Sequence, residues 1–249
     1  MMAHGKRYRK QLEKVERDRA YPPLEAIALL KETASANFDE TVELHVLLGV
    51  NVRHAEEQLR GTLALPHGLG KDVTVAVFAQ GQQARDAEAA GADFVGGDDL
   101  AKKVEEEGWT DFDVAISTPQ MMGTVGKLGR VLGPQGKMPN PKVGTVTDDI
   151  EKAVSESKAG KVEYRTDRQA IVHMSIGKAS LSPDQLLDNF SAVMEEIIRA
   201  KPSAAKGRYI VTCTLTTTMG PGIRVDASKV GDRDEVTAAP QAAEEPVTA

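Results

Sequence analysis

From Thr41 to Val50 the side chains alternate, with Val42, Leu44, Val46 and Leu48 on one face and Glu43 and His45 on the other. A period of two of this kind predicts a strand packed on one side only. Upstream, Leu24, Ile27, Ala28 and Leu30 recur at helical spacing behind Pro23, so Pro23 to Ser35 is expected as a helix. Arg7 to Arg17 also reads as a helix. The run Leu65-Pro-His-Gly-Leu-Gly70 then breaks the pattern and marks a candidate boundary.

A different rhythm begins at Val73. The nearly continuous apolar stretch to Phe78 predicts a buried strand, followed by a helix from Gln82 to Ala90. Asp93 to Val95, Asp98 to Gly108 and Phe112 to Ser117 repeat strand, helix and strand. This spacing implies parallel pairing with crossover helices, hence a three-layer α/β unit. A segment rich in Gly and Pro spans 123–144, and a helix is expected from Thr147 to Lys158.

After Ala159-Gly160 alternation returns. Lys161 to Thr166 and Ala170 to Ile176 are expected to form a hairpin around Asp167-Arg-Gln169. Ser182-Pro-Asp-Gln185 is a strong helix start, and Leu186, Leu187, Phe190, Val193, Met194, Ile197 and Ile198 form the stripe of a helix ending at Ala200. Tyr209 to Thr217 is a further strand, with Cys213 on its packed face. Neither the first nor the last segment carries enough elements for a closed fold. The expected architecture is therefore α/β: an α+β outer domain built from 1–66 and 160–231, with a Rossmann-like three-layer domain, 67–159, inserted into it. Two short connections containing Leu65, Pro66 and Gly68, and Ala159 and Gly160, would then serve as a hinge. Residues 232–249 have the composition of a disordered acidic tail.

Charge sharpens this division. The formal net charge of −6 is unevenly spread. Residues 1–19 carry seven basic groups against three acids, 67–159 sum to −5, 160–231 to +3, and 232–249 to −4. A basic outer domain beside an acidic insert permits a nucleic-acid partner despite the total, although separate solvated surfaces would give the same distribution. No run approaches the roughly 18 apolar residues of a membrane span, and Met1 to Lys10 has no apolar core of a secretory signal, so a cytoplasmic protein is expected. The single cysteine excludes an internal disulfide and a multi-thiolate zinc site.

The candidate chemistry is that of binding. His4, His45, His54, His67 and His173 are too scattered along the chain to suggest a metal site, and no nucleophile–base order is recognisable. The 123–144 segment has no phosphate-loop motif, since Val131 stands where the first Gly belongs and Met138 where Ser or Thr belongs. It does carry Lys127, Arg130, Lys137 and Lys142 without an acid between 121 and 147, a local positive patch that could meet a nucleic acid. No enzyme activity and no cofactor are expected; the rival is a nucleotide-dependent enzyme using the inserted α/β domain. Thr216, Thr217, Thr218, Met219 and Gly220 offer hydroxyls and close backbone approach, as reading ribose and phosphate requires. A Thr-rich strand alone is equally what β-propensity produces.

The run Leu132-Gly-Pro-Gln-Gly-Lys-Met-Pro-Asn-Pro-Lys-Val-Gly-Thr-Val146 resembles the signature of the bacterial large-subunit ribosomal protein one family, the stalk protein. So do His4-Gly-Lys-Arg-Tyr8, Asn37-Phe-Asp-Glu-Thr41, Leu63-Ala-Leu-Pro-His-Gly68, Lys158-Ala-Gly160 and Thr216-Thr-Thr-Met-Gly220. The matches run in order from residue 4 to about 229. The resemblance implies a discontinuous RNA-binding domain and binding to the stalk of large-subunit ribosomal RNA beside the tRNA exit site, among other large-subunit components. It also implies contact with exit-site tRNA as deacylated tRNA leaves, and repression of the protein's own operon messenger RNA. It places Phe38, Thr41 and Glu43 with Thr218, Met219 and Gly220 on the RNA surface, and no membrane is involved. Lys6, Arg7, Arg9, Arg165, Arg168 and Lys178, with Asp167 between two of them, are the expected phosphate-positioning set. Three positions depart from the family: Gln135 and Lys137 stand where Arg and Leu are expected, and Asn37 where Lys is common.

Overall fold

The computed structural model describes residues 5–226, so His4 and the acidic stretch 232–249 lie outside the described residues. Its helices and mixed sheets make an α/β fold. In chain order the elements begin with helices α1 (Lys6–Leu12) and α2 (Pro23–Thr33), then strands β1 (Thr41–Leu48) and β2 (Arg60–Ala64). The middle of the chain alternates β3 (Val75–Phe78), α3 (Gln82–Ala89), β4 (Phe94–Gly96), α4 (Asp98–Glu107) and β5 (Val114–Ser117). Two short helices, α5 (Met122–Val125) and α6 (Gly129–Leu132), precede α7 (Ile150–Lys158). The last stretch holds β6 (Lys161–Arg165), β7 (Ile171–Lys178), α8 (Pro183–Arg199), β8 (Ile210–Thr217) and β9 (Ile223–Val225).

These elements form two compact units, Met1–Leu59 with Arg165–Ala249, and Arg60–Tyr164. In the first, a four-stranded antiparallel sheet runs β7-β1-β8-β9. The alternation of β1 is realised: Val42, Leu44, Val46 and Leu48 are buried, and so are Val172, Met174 and Ile176 on β7 and Cys213 and Leu215 on β8. The helices α2 and α8 pack against strands of this sheet. Helix α8 starts as its sequence requires. The Ser182 hydroxyl accepts from the Gln185 N–H at 3.2 Å, and the Gln185 side chain accepts from the Ser182 N–H at 3.0 Å. Ile198, assigned to its apolar stripe, is 41% exposed, while Ile197 in the same turn stays buried, so Ile198 lies at the edge of the packed face. The first helix ends at Leu12 rather than Arg17.

In the second unit β4, β3 and β5 form a parallel sheet. Val75 and Val77 face α3 and α7 through Ala87, Ile150 and Val154. Ala76 and Phe78 face the other way, against Val104, Val125, Leu128 and Leu132. Helices on both sides explain why β3 is apolar throughout.

Two expectations are revised. Strands β6 and β7 do not make a hairpin: β6 pairs with β2 in a separate two-stranded sheet, with Arg60 and Glu163 joined at 2.8 Å across it, and only a bridge from Thr166 to Val172 remains. The division of the chain also falls at residues 59/60 and 164/165, outside Leu65, Pro66, Gly68, Ala159 and Gly160. Because β2 and β6 pair with each other, those five residues lie inside the second unit, where the Leu65 N–H reaches the Gly160 carbonyl at 3.5 Å.

Candidate nucleic-acid interface

Antiparallel register brings the two ends of the sequence together at one end of the four-stranded sheet. Val42 lies opposite Thr217 and Glu43 opposite Thr216. Beyond the ladder, the Thr218 N–H donates to the Thr41 carbonyl at 3.1 Å, and the Thr218 hydroxyl accepts from the Thr41 N–H at 3.0 Å. On the other flank the register slips between Val42 and Glu43, which sets Lys178 opposite Thr41. Its ammonium donates to the Thr41 hydroxyl at 2.9 Å and the Asp39 carbonyl at 3.3 Å.

Glu40 organises this end, and the sequence reading passed over it. It is in phase with Val42 and Leu44 and is only 2% exposed. One oxygen accepts from the Ser35 and Ala36 N–H groups at 2.9 and 2.7 Å, and the other from the Met219 N–H at 2.9 Å. Burial pushes its pKa up, but the three backbone donors outweigh burial and the net shift is downward. The Thr217 hydroxyl also favours the carboxylate, without forming a hydrogen bond of ordinary geometry. A carboxylate on the packed side of an alternating strand was the signal available in the sequence.

With the backbone tied down in this way, apolar groups stand in the open. Phe38 is 56% exposed and Met219 53%. Phe38 is therefore not a core residue. The Thr216 hydroxyl donates locally, to the Thr217 carbonyl at 3.0 Å, and Thr217 itself is buried, so its side chain is directed away from the open face. At Gly220 a Cβ would sit 2.3 Å from the Thr217 hydroxyl oxygen, so this turn needs glycine for space.

The opposite end of the sheet carries a cluster of three arginines. Arg53, Arg165 and Arg168 line one open groove with Val52, Gln58, Thr166 and Asp167. Leu47 lies opposite Ile171, so this groove is about 20 Å along β1 from Thr41. Arg53 was not picked out from the sequence because it lies more than a hundred residues from Arg165 and Arg168 in the chain. Asp167 holds the turn, accepting from the Gln169 and Ile171 N–H groups at 2.8 Å each. Burial acts to raise its pKa, but these two donors and His173 outweigh it and lower it. Lys6, Arg7 and Arg9 are exposed on α1, apart from the strands that carry the other candidates.

Glu43 lies on the open face between the two ends, with His45 beside it and His173 across from His45. The expectation that the histidines are scattered is thus wrong in space for this pair, whose side chains meet at 2.8 Å. Even so, among the described residues no group of three or more His, Cys, Asp or Glu could hold a metal ion.

In the second unit, Lys127, Arg130 and Lys142 are exposed. Lys137 turns inward, donating to the Thr110 carbonyl at 2.8 Å over the Phe112 ring. The positive patch of this loop therefore rests on three side chains. Among the described residues no helix is long and apolar enough to cross a membrane. Residues 30–221 match the family described as ribosomal protein L1p/L10e.

Proposed function

Because this chain belongs to the ribosomal protein L1p/L10e family, we propose that it holds large-subunit ribosomal RNA on the end of the four-stranded sheet where Thr41 meets Thr218. As a ribosomal protein it has ribosomal RNA as its partner, and the question is which surface meets it. The observation that carries the reading is the pairing of Thr41 with Thr218 across 177 residues of sequence, with Phe38 and Met219 left exposed beside it. Folded RNA hides its base edges in a deep groove and displays ribose hydroxyls and phosphates on a shallow side. A rigid strand end bearing Thr41 and Thr218, with a glycine-limited turn at Gly220, suits that shape better than flexible cations do. Glu43 accepts from a 2′-hydroxyl, while Lys178 and the distant arginine groove neutralise phosphate.

The RNA in this reading is the stalk stem-loop beside the exit site. A related fold in the protein's own operon messenger RNA is its second target, through which translation is repressed. Lys127, Arg130 and Lys142 of the other unit contact exit-site tRNA and assist its release.

The test is equilibrium binding to the stalk stem-loop and to a random duplex of equal length. The full chain should prefer the stem-loop. Phe38→Ala with Met219→Ala should weaken that complex by about 10- to 100-fold, as expected for losing roughly 1–3 kcal/mol of apolar contact, with an unchanged thermal midpoint. Equal affinity for both RNAs would refute the assignment of this surface.

A further inference from the structure

His45 on β1 and His173 on β7 are directly opposed in register, between the Thr41 end of the sheet and the arginine groove. Their Nδ1 atoms are 2.8 Å apart and the rings meet edge-on, with centroids 5.0 Å apart. At that distance one Nδ1–H donates and the other Nδ1 accepts. Each outer nitrogen faces a carboxylate: His45 Nε2 is 3.6 Å from Glu43, and His173 Nε2 is 3.4 Å from Asp167. From β8 the neighbour is uncharged Thr214, opposite His45, and Arg224 of β9 lies one strand further, opposite Thr214. Arg168 is in the turn that carries Asp167.

The four ring nitrogens thus form a line between two carboxylates. Two neutral imidazoles bring two hydrogens. One lies between the Nδ1 atoms and the other points to one carboxylate, so the remaining outer nitrogen presents a lone pair to the other. One proton from solvent fills that place and leaves the Nδ1 contact intact. A second proton would put hydrogens on both Nδ1 atoms and break the contact. The geometry accommodates one extra proton on the pair rather than two.

We propose that His45 and His173 are a proton-linked determinant of RNA binding, taking up one shared proton when the ribose-phosphate backbone closes on this face of the sheet. The proposal rests on the RNA reading of the surface given above. A polyanion favours the protonated pair, and by reciprocity protonation favours the polyanion by the same factor. In the free protein burial and the neighbouring imidazole hold His45 below the usual histidine range, against the opposing pull of Glu43. The lowered pKa of His45 leaves room for proton uptake when the polyanion closes on this face, so affinity for RNA rises as the pH falls.

The experiment measures the dissociation constant of the full chain for the stalk stem-loop at fixed ionic strength, with a chelator present, between about pH 5.5 and 8. Wild type is compared with His45→Gln, His173→Gln and the double variant, each first checked for an unchanged thermal midpoint. Affinity of the wild type should rise toward a limit of about tenfold per pH unit, one proton per complex. Either single substitution should remove as much of that slope as both together, because each destroys the shared site. Equal slopes in wild type and double variant overturn the proposal, and so do losses that add, which mark two independent histidines. If the wild type binds the stem-loop at no pH, the surface assignment falls first and the coupling with it.

Discussion

At the scale of single residues, Glu40 is the group on which the candidate surface depends most. It joins the Ser35–Ala36 backbone to that of Met219. Glu40→Gln keeps the size but sets an amide N–H₂ against at least one backbone donor, and should cost about 2–3 kcal/mol in chemical denaturation at neutral pH. The folded carboxylate titrates below its ordinary 4.5, so its stabilisation is complete above that value and is lost as pH falls through the lower, folded one. The gap between wild type and variant should accordingly close in acid; a gap independent of pH would show that the charge has no part in it. Ala170 is the reverse case. Its φ of +62° puts a side-chain-bearing residue in the left-handed region, in the turn that holds Asp167 and Arg168. Ala170→Gly relieves roughly 1–2 kcal/mol of backbone strain and loses somewhat less to unfolded-chain entropy, so its unfolding midpoint should rise by about 0.5 kcal/mol equivalent. A fall would mean that the buried methyl contributes more than the strain costs.

Secondary-structure elements differ in how far their sequences reveal them. Helix α8 is legible because its signals are local, and Ser182→Ala should lower stability by about 1 kcal/mol, read as a shift of the denaturation midpoint, by removing one half of a reciprocal cap. Strand β1 is legible because one face is covered and the other is not. Strand β2 was missed, since four of its five residues are half-buried, the fifth is exposed and none alternates, and β9 was missed because three residues carry too little pattern. The false hairpin of β6 and β7 has the same origin: sequence proximity favoured one partner, and the true one, β2, lies about a hundred residues earlier. For the site, Thr41 and Thr218–Gly220 were found through family resemblance. Glu40 was discoverable from phase, whereas the meeting of His45 with His173 and the joining of Arg53 to Arg165 and Arg168 depend on register, which no local pattern encodes.

For the molecule as a whole, the place where the chain leaves and re-enters the first unit matters most. The Thr166 N–H donates to the Leu59 carbonyl at 3.0 Å, so the two ends at this point are already neighbours. Joining Met1–Leu59 to Arg165–Ala249 through two or so glycines should therefore close without strain, as the closure entropy of so short a link is small. The shortened protein should unfold in one cooperative transition and keep the RNA preference of the full chain. A protein lacking cooperative unfolding would show that the first unit depends on residues 60–164 for its own stability.

The strand order of that sheet also bears on how the protein comes off the translation machinery that it serves. Strand β1 occupies an interior position, yet both strands that flank it, β7 and β8, are encoded far downstream. At ordinary elongation rates of about 5–20 residues per second, the gap between Leu47 and its partner Ile171 is on the order of ten seconds. During that time the second unit is completed, while the earlier-born strand waits with its apolar side uncovered. The newborn stretch through β1 is thus the part most in need of shielding by a chaperone, and the arrival of β7, α8 and β8, between Ile171 and Thr217, is what ends that need.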